Sequence, residues 1–277
     1  MPKKIILSSL KESIVLIWKN KSLFVLLFIL QIIFFVVFSL ISYKYISKMV
    51  ESQKAIEDYL SQQNLDEDVV TENILQQKSI LGDDPLSISR NFNGIVKNFR
   101  IYLASVFISL IAFVALAWTL TSKIINKLNF KQLINSFLKN LIILLFYLGF
   151  IFGFFFSLLN ISIMQFAAES SKFFIKYIVF FVVSIILSYF MFISLALTNK
   201  TKLKNIVQKT LIIGIKRAHY ILSVYFINIL LLGTSVFLLY YFIEKNSFIL
   251  LLSIILLIFS FVFGRIFIIN AVGKLTH

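Results

Sequence analysis

Long apolar runs alternate with short polar segments along the whole chain. Six of these runs reach the length of about 20 residues that a helix needs to cross a bilayer core. They lie near residues 23–43, 101–122, 141–164, 173–197, 220–243 and 247–270. A spanning segment must satisfy its own backbone hydrogen bonds in hydrocarbon, and a helix does so within one segment. The pattern therefore predicts an all-α, polytopic membrane protein with six transmembrane helices.

Composition supports this class and excludes others. Of the 277 residues, 60% are hydrophobic and 14% are charged, and the mean hydropathy is +0.95. A typical soluble domain contains roughly 25% charged residues, because its surface must face water. Cysteine is absent, which excludes a disulfide framework, a thiolate nucleophile and a cysteine-bound metal.

The distribution of charge predicts the orientation. Segments 1–22, 123–140 and 198–219, together with the end of the last span, hold 17 basic residues and one acidic residue, whereas the remaining segments hold 10 and 11. Basic loops stay on the cytoplasmic side of a membrane. We therefore expect a multi-pass protein of the plasma membrane with both termini in the cytoplasm and a retained first span. The net charge of +15 is assigned to anionic lipid headgroups on the cytoplasmic side, and no nucleic-acid partner is expected.

The basic segments resemble one another. Residues 9–20 align with residues 129–140, and a third version runs over residues 202–217. Each is predicted to form an amphipathic helix at the inner interface, followed by two spans, so that the unit occurs three times; chance similarity is the alternative. The basic side chains expected to contact lipid headgroups are Lys11, Lys19, Lys131, Lys139, Lys216 and Arg217.

One segment departs from this threefold pattern. Residues 44–100 form an extracytoplasmic helical insertion between the first two spans of a single integral membrane domain, residues 1–277. The insertion is predicted to continue the first span, to form a second helix around residues 69–81 and to lead by a third helix into the second span. It contains too few apolar residues for a core of its own.

Few polar groups fall inside the spans. Gln31 and Asn228 each lie eight residues into a span and are equivalent in the repeat. An interhelical hydrogen bond between them is the favoured interpretation, and contact with a substrate is the alternative. Arg265 is expected to extend towards the headgroups, with a buried counter-ion role as the alternative.

Small residues recur at intervals of four in two spans. Gly149, Gly153 and Ser157 form one such series, and Ser184 and Ser188 form another. This spacing is typical of helices that approach each other closely. The lining of a pore is the alternative interpretation.

Motifs for catalysis, cofactors or metals are weak. The two histidines, His219 and His277, lie in a loop and at the terminus, and we predict no catalytic residue, no cofactor and no metal ligand. Asp66-Glu67-Asp68 matches the D-x-D pattern of divalent-metal glycosyltransferases, but acidic residues are also typical of a solvated helix start. A membrane enzyme using this acidic loop is therefore the weakest of three functional hypotheses.

The pairs Lys19-Asn20, Lys139-Asn140 and Lys216-Arg217 each precede an apolar hairpin. In this respect the chain outside the 44–100 insertion resembles uncharacterised six-span membrane protein families of archaea and bacteria. It is also similar to the membrane domain attached to some glycerophosphodiester phosphodiesterases. Nothing in the chain corresponds to the phosphodiesterase catalytic domain, so the resemblance implies a membrane module without that activity.

These observations favour a non-enzymatic module that organises lipid or a membrane-protein partner. The alternative is a transporter or permease subunit for a small or lipid-like solute, which the threefold pattern and the matched depth of Gln31 and Asn228 support.

Overall fold

A computed structural model describes residues 2–62, 86–158 and 170–276. This part of the chain is all-α and contains eight helices. They are α1 (Pro2–Lys19), α2 (Lys21–Gln62), α3 (Leu86–Asn126), α4 (Phe130–Leu158), α5 (Ser170–Leu197), α6 (Leu203–Lys216), α7 (Ala218–Phe242) and α8 (Ser247–Leu275).

Six of the eight helices are long and apolar enough to cross a membrane, namely all except α1 and α6. The prediction of an all-α, six-span protein is therefore confirmed at the level of helix length and hydropathy. The chain is a polytopic membrane protein.

The described helices form two compact units, and α2 and α3 run through both. In the unit Phe35–Ser109 these two helices pack antiparallel. The Ser42 hydroxyl lies 3.3 Å from the Tyr102 hydroxyl, and a Cβ built on Gly94 would lie 3.4 Å from Ser52 Oγ.

The helices α2 and α3 are 42 and 41 residues long. At about 1.5 Å per residue, each measures roughly 60 Å, about twice the thickness of a hydrocarbon core. Much of the 44–100 insertion is therefore a continuation of the two spans. The predicted helix at residues 69–81 and the Asp66-Glu67-Asp68 motif lie outside the described residues.

In the other unit, Met1–Phe34 with Leu110–His277, α8 occupies the centre. It packs against α1, α5 and α7, and nearly all of its last ten residues are buried. A packed cluster joins α8 to α2 and α3. Its buried members are Leu27, Ala117, Ile124, Val262 and Ile266.

The prediction of three separate amphipathic helices is wrong for the second basic segment. α1 ends before Asn20 and α6 ends before Arg217, so each is distinct from the span that follows. In contrast, Phe130–Leu158 is one unbroken helix that includes both the second basic segment and the span.

The two aligned asparagines explain part of this difference. The Asn20 side chain donates to the Leu16 carbonyl at 3.0 Å, where it takes up a carbonyl at the end of α1. The fully buried Asn140 amide donates instead to Thr119 Oγ1 of α3, also at 3.0 Å. Asn140 thus holds two helices together, and its own helix continues through it.

Candidate functional site

A cavity of about 1070 Å³ lies between α5, α7 and α8, and Trp118 of α3 forms part of its wall. Most of the lining is aromatic or aliphatic. Phe181 and Phe226 both line the cavity and are 66% and 61% exposed, so the cavity reaches the protein surface between α5 and α7. Both phenylalanines lie well inside their helices. The mouth therefore faces the level of lipid chains.

Arg265 brings a positive charge to this cavity. It lies ten residues before the end of α8, which is about 15 Å along the helix axis. Its Nη1 donates to Gln31 Oε1 of α2 at 3.1 Å. Its Nε and Nη2 atoms are buried and have no hydrogen-bond partner among the described residues.

The expected contact between Arg265 and the headgroups stays a prediction, and the structure gives its guanidinium a protein partner, Gln31. The sequence pattern predicted a span ending near residue 270, but α8 continues to Leu275. The last turns of α8 are buried among neighbouring helices. Neighbouring helices therefore enclose part of the Arg265 side chain, and its hydrogen-bond partner in the described structure is a side chain of another span.

The predicted hydrogen bond between Gln31 and Asn228 is also absent. The Gln31 carbonyl oxygen accepts from Arg265, whereas neither polar atom of the Asn228 amide has a partner in the described part of the chain. Asn228 is 8% exposed and lines the cavity. Gln31 is thus bonded to Arg265, and Asn228 lines the same cavity as Arg265 without a bond to it.

Gly264 allows the Asn228 amide to lie against α8. A Cβ added to this glycine would lie 3.2 Å from Asn228 Oδ1, which is tighter than an ordinary van der Waals contact. Gly264 also directly precedes Arg265 in the cavity lining. Asn228 and Arg265 therefore line the same cavity.

Hydroxyl groups add to the polar part of the cavity. Ser184, Ser188, Ser223 and Ser260 line it. Ser223 and Ser260 donate to backbone carbonyls of their own helices, whereas Ser184 Oγ is buried without a partner among the described residues. The series Ser184 and Ser188, for which a pore lining was the alternative, lies on the cavity wall.

Two tyrosines stabilise the site without offering free hydroxyl protons. Tyr225 donates to the Tyr189 carbonyl at 3.0 Å, and Tyr189 donates to the Gly214 carbonyl at 2.7 Å. These bonds connect α7, α5 and α6. The sequence analysis did not identify either tyrosine, although Tyr225 lies three residues before Asn228 and therefore on the same helix face.

Among the described residues, no close helix approach is seen at Gly149 or Gly153, which belong to the other small-residue series. A Cβ on Gly149 or Gly153 would meet nothing within 4 Å among the described atoms. Both glycines border a smaller cavity of about 270 Å³. The side chain of Ser157 lies outside the described residues.

The four helices that line the cavity supply no negative charge to balance Arg265. The helices α3, α5, α7 and α8 contain no Asp or Glu, and the described part of the chain shows no His/Cys/Asp/Glu group that could hold a metal ion. An unpaired charge inside a membrane protein costs several kcal/mol. The cavity therefore carries a positive charge that no acidic side chain of its lining helices neutralises.

The basic residues predicted to contact headgroups lie away from this cavity. Five of them are exposed, namely Lys11, Lys19, Lys131, Lys216 and Arg217. The sixth, Lys139, is half-buried and donates to the Thr198 carbonyl at 3.3 Å. Their contacts with lipid stay a prediction.

The helix α1 directs small polar residues inwards and apolar residues outwards. Ser9 and Ser13 are fully buried, and the Asn270 amide of α8 donates to the Ser9 carbonyl at 3.1 Å. Leu7 and Trp18 are 64% and 67% exposed. The apolar side of α1 therefore faces the surroundings of the protein.

The helix α6 has a similar outward face. Val207, Leu211 and Ile215, spaced four residues apart, are all exposed, whereas Ile206 and Ile213 pack inwards. Exposed lysines flank this apolar stripe at positions 204, 209 and 216. An apolar stripe next to basic side chains is typical of a helix that lies in a membrane interface.

Comparison of the chain with protein-family models, with curated proteins and with solved structures finds no match.

Proposed function

We propose that the protein is a non-enzymatic membrane module that organises anionic lipid on the cytoplasmic side of the plasma membrane. The observation that carries this proposal is the outward face of α6, where Val207, Leu211 and Ile215 form an exposed apolar stripe beside three lysines. A membrane-protein partner on the same face would be organised in the same way.

The chemistry of α6 suits an interface between water and hydrocarbon. The apolar stripe gains by leaving water for the acyl boundary, and each lysine near an anionic surface contributes about 1 kcal/mol. In this arrangement α6 lies at the inner interface and both termini face the cytoplasm.

The orientation can be tested directly because the native chain has no cysteine. Lys216→Cys in α6 and Lys54→Cys in α2 change exposed side chains of the same type. In right-side-out vesicles, a membrane-impermeant maleimide should label position 54, and position 216 should react only after the membrane is permeabilised. The reverse labelling would contradict the proposal.

Lipid organisation requires a separate test. A triple substitution of Lys204, Lys209 and Lys216 by Gln removes the charges of α6, and a matched triple substitution of Lys44, Lys48 and Lys54 removes three lysines of α2. Native mass spectrometry of protein extracted gently from its membrane should show fewer anionic lipids on the α6 variant and no change on the control. Equal retention by both variants would exclude an α6 lipid surface.

A transporter or permease subunit is the second candidate, and the cavity with Asn228 and Arg265 on its wall supports it. Transport requires water to reach this depth during the cycle. Cysteines at positions 31 and 228 should then react with aqueous maleimides under turnover conditions. Complete protection at both positions would count against transport.

A further inference from the structure

We propose that the cavity between α5, α7 and α8 binds one anionic amphiphile, with its carboxylate or phosphate oxygens on Arg265 and its acyl chain against the aromatic wall. This inference deepens the lipid-organising function by naming an internal site. It uses none of the α6 lysines, so either assignment can fail without the other.

The positive charge of Arg265 favours an anionic ligand. Arg265 carries a guanidinium in a cavity whose helices contain no acidic residue. The acidic residue seen in an ion pair in this unit, Glu12, is bonded to Lys274 instead. A ligand that supplies one negative charge removes the cost of an unpaired buried cation.

Two guanidinium nitrogens of Arg265 have no protein partner within the described structure. Nε and Nη2 form one edge of the guanidinium, and both are buried and unpaired there. Because Gln31 already accepts from Nη1, the edge formed by Nε and Nη2 is the one that we assign to the ligand. Two parallel N–H donors match two oxygens of one carboxylate or phosphate.

Asn228 supplies a second polar group to the proposed site. Asn228 is buried, lies against Gly264 and has both amide atoms unpaired among the described residues. Its Nδ2 can donate to an oxygen of a headgroup held by the adjacent Arg265. A bound oxyanion thus accounts for several of the unpaired polar atoms in this part of the cavity.

The rest of the cavity is apolar and suits an acyl chain. The volume of about 1070 Å³ lies slightly above the roughly 300–1,000 Å³ typical of ligand pockets. Trp118, Phe192 and Ile268 line the interior, and the mouth reaches the surface beside Phe226. An acyl chain can enter sideways from the bilayer while the headgroup reaches Arg265.

Trp118 provides a local reporter for this site. The chain has two tryptophans, Trp18 and Trp118, and Trp118 is only 1% exposed and lines the cavity. A Trp18→Phe protein therefore has a single tryptophan fluorophore, at the proposed site. Bromine atoms on an acyl chain quench tryptophan fluorescence on contact, so chains inside the cavity should quench it.

The experiment uses the full-length Trp18→Phe protein in nanodiscs of unbrominated phosphatidylcholine. It is titrated with dibromostearate, dibrominated phosphatidylglycerol and dibrominated phosphatidylcholine. We expect saturable quenching by at least one of the two anionic probes, and weak, non-saturable quenching by phosphatidylcholine. Saturation by dibromostearate alone identifies a fatty-acid carboxylate, and saturation by phosphatidylglycerol identifies a phospholipid phosphate.

Three variants test the assignment of residues. Arg265→Gln should weaken the apparent affinity for the anionic probe by at least about tenfold, which corresponds to one charge-assisted bond. Asn228→Leu keeps the guanidinium and its bond to Gln31, and should weaken binding by about three- to tenfold. The α6 triple lysine-to-Gln variant should bind the probe as the parent does.

Three results would overturn the inference. The first is the absence of saturable quenching by both anionic probes, and the second is equal saturable quenching by the anionic probes and by phosphatidylcholine. The third is an unchanged affinity in a folded Arg265→Gln or Asn228→Leu variant. Helical circular dichroism and a single elution peak establish folding. If Arg265→Gln does not fold, Asn228→Leu decides the question.

Discussion

The two sides of α8 at the level of Arg265 differ in how tightly they are packed and in how many of their polar groups have hydrogen-bond partners. Towards α2 and α3, the buried cluster around Leu27 and Ile266 fills the space, and Gln31 accepts a hydrogen bond from the guanidinium. Towards α5 and α7, the same guanidinium faces a cavity in which Asn228 has no partner among the described residues. Protein side chains fill the space on one side of the helix, and we propose that a ligand fills the cavity on the other.

The largest effect should come from removing a side chain on the packed side. Leu27→Ala deletes a fully buried side chain and should lower the free energy of unfolding by about 2–5 kcal/mol, because its packing contacts are lost and a void remains. Leu232→Ala removes the same atoms from the cavity wall, where Leu232 is only partly buried, and should cost under about 1 kcal/mol. Unfolding in mixed micelles measures both values, and equal losses would show that the two sides are packed alike.

A smaller effect is expected at the two amides. Gln31→Leu removes the bond to Nη1 and leaves another buried guanidinium nitrogen unpaired, which should cost about 1–3 kcal/mol. Asn228→Leu replaces an amide that makes no hydrogen bond among the described residues, and in protein freed of lipid it should be neutral or slightly stabilising. The same unfolding measurement applies.

Combining these two substitutions tests the pair predicted from the repeat. A direct Gln31–Asn228 hydrogen bond would give a coupling energy of roughly 0.6 kcal/mol or more. The structure instead predicts that the two effects add to within about 0.5 kcal/mol, since the side chains share no bond. A larger coupling would restore the original pairing.

The smallest effect is expected at the contact between α7 and α8. Gly264→Ala places a Cβ 3.2 Å from Asn228 Oδ1 and should displace the amide, with a loss of about 1 kcal/mol. Gly233→Ala adds a methyl group where nothing lies within 4 Å and should be neutral or stabilising by up to about 1 kcal/mol. Thermal unfolding of both variants checks this difference, and a destabilising Gly233→Ala would contradict it.

The fold class was readable from sequence because spanning a bilayer imposes a length and a polarity on each segment. All six predicted spans correspond to long apolar helices. The boundaries were less predictable, since a helix does not need to end where hydrocarbon ends. α8 continues to Leu275 because the protein buries its last turns, and this extension changes the surroundings of Arg265.

The sequence indicated several residues of the candidate site but not which of them contact each other. Gln31, Asn228 and Arg265 were noticeable because polar groups are costly inside spans. Their partners depend on how each helix is rotated about its axis, and the spacing of residues along one chain does not contain that information. The aromatic wall was hidden among the 32 phenylalanines of the chain.

The sequence by itself determined that this chain spans a membrane six times, because hydrophobic length is a property of each segment taken alone. It also predicted that 17 of the 27 basic residues lie on the same side of the membrane. Only the tertiary structure decided that the second basic segment and the following span form one continuous helix, α4, that Gln31 binds Arg265 and that Asn228 lines a cavity. These outcomes depend on contacts between residues as many as 234 positions apart, and such contacts exist only after the helices have packed.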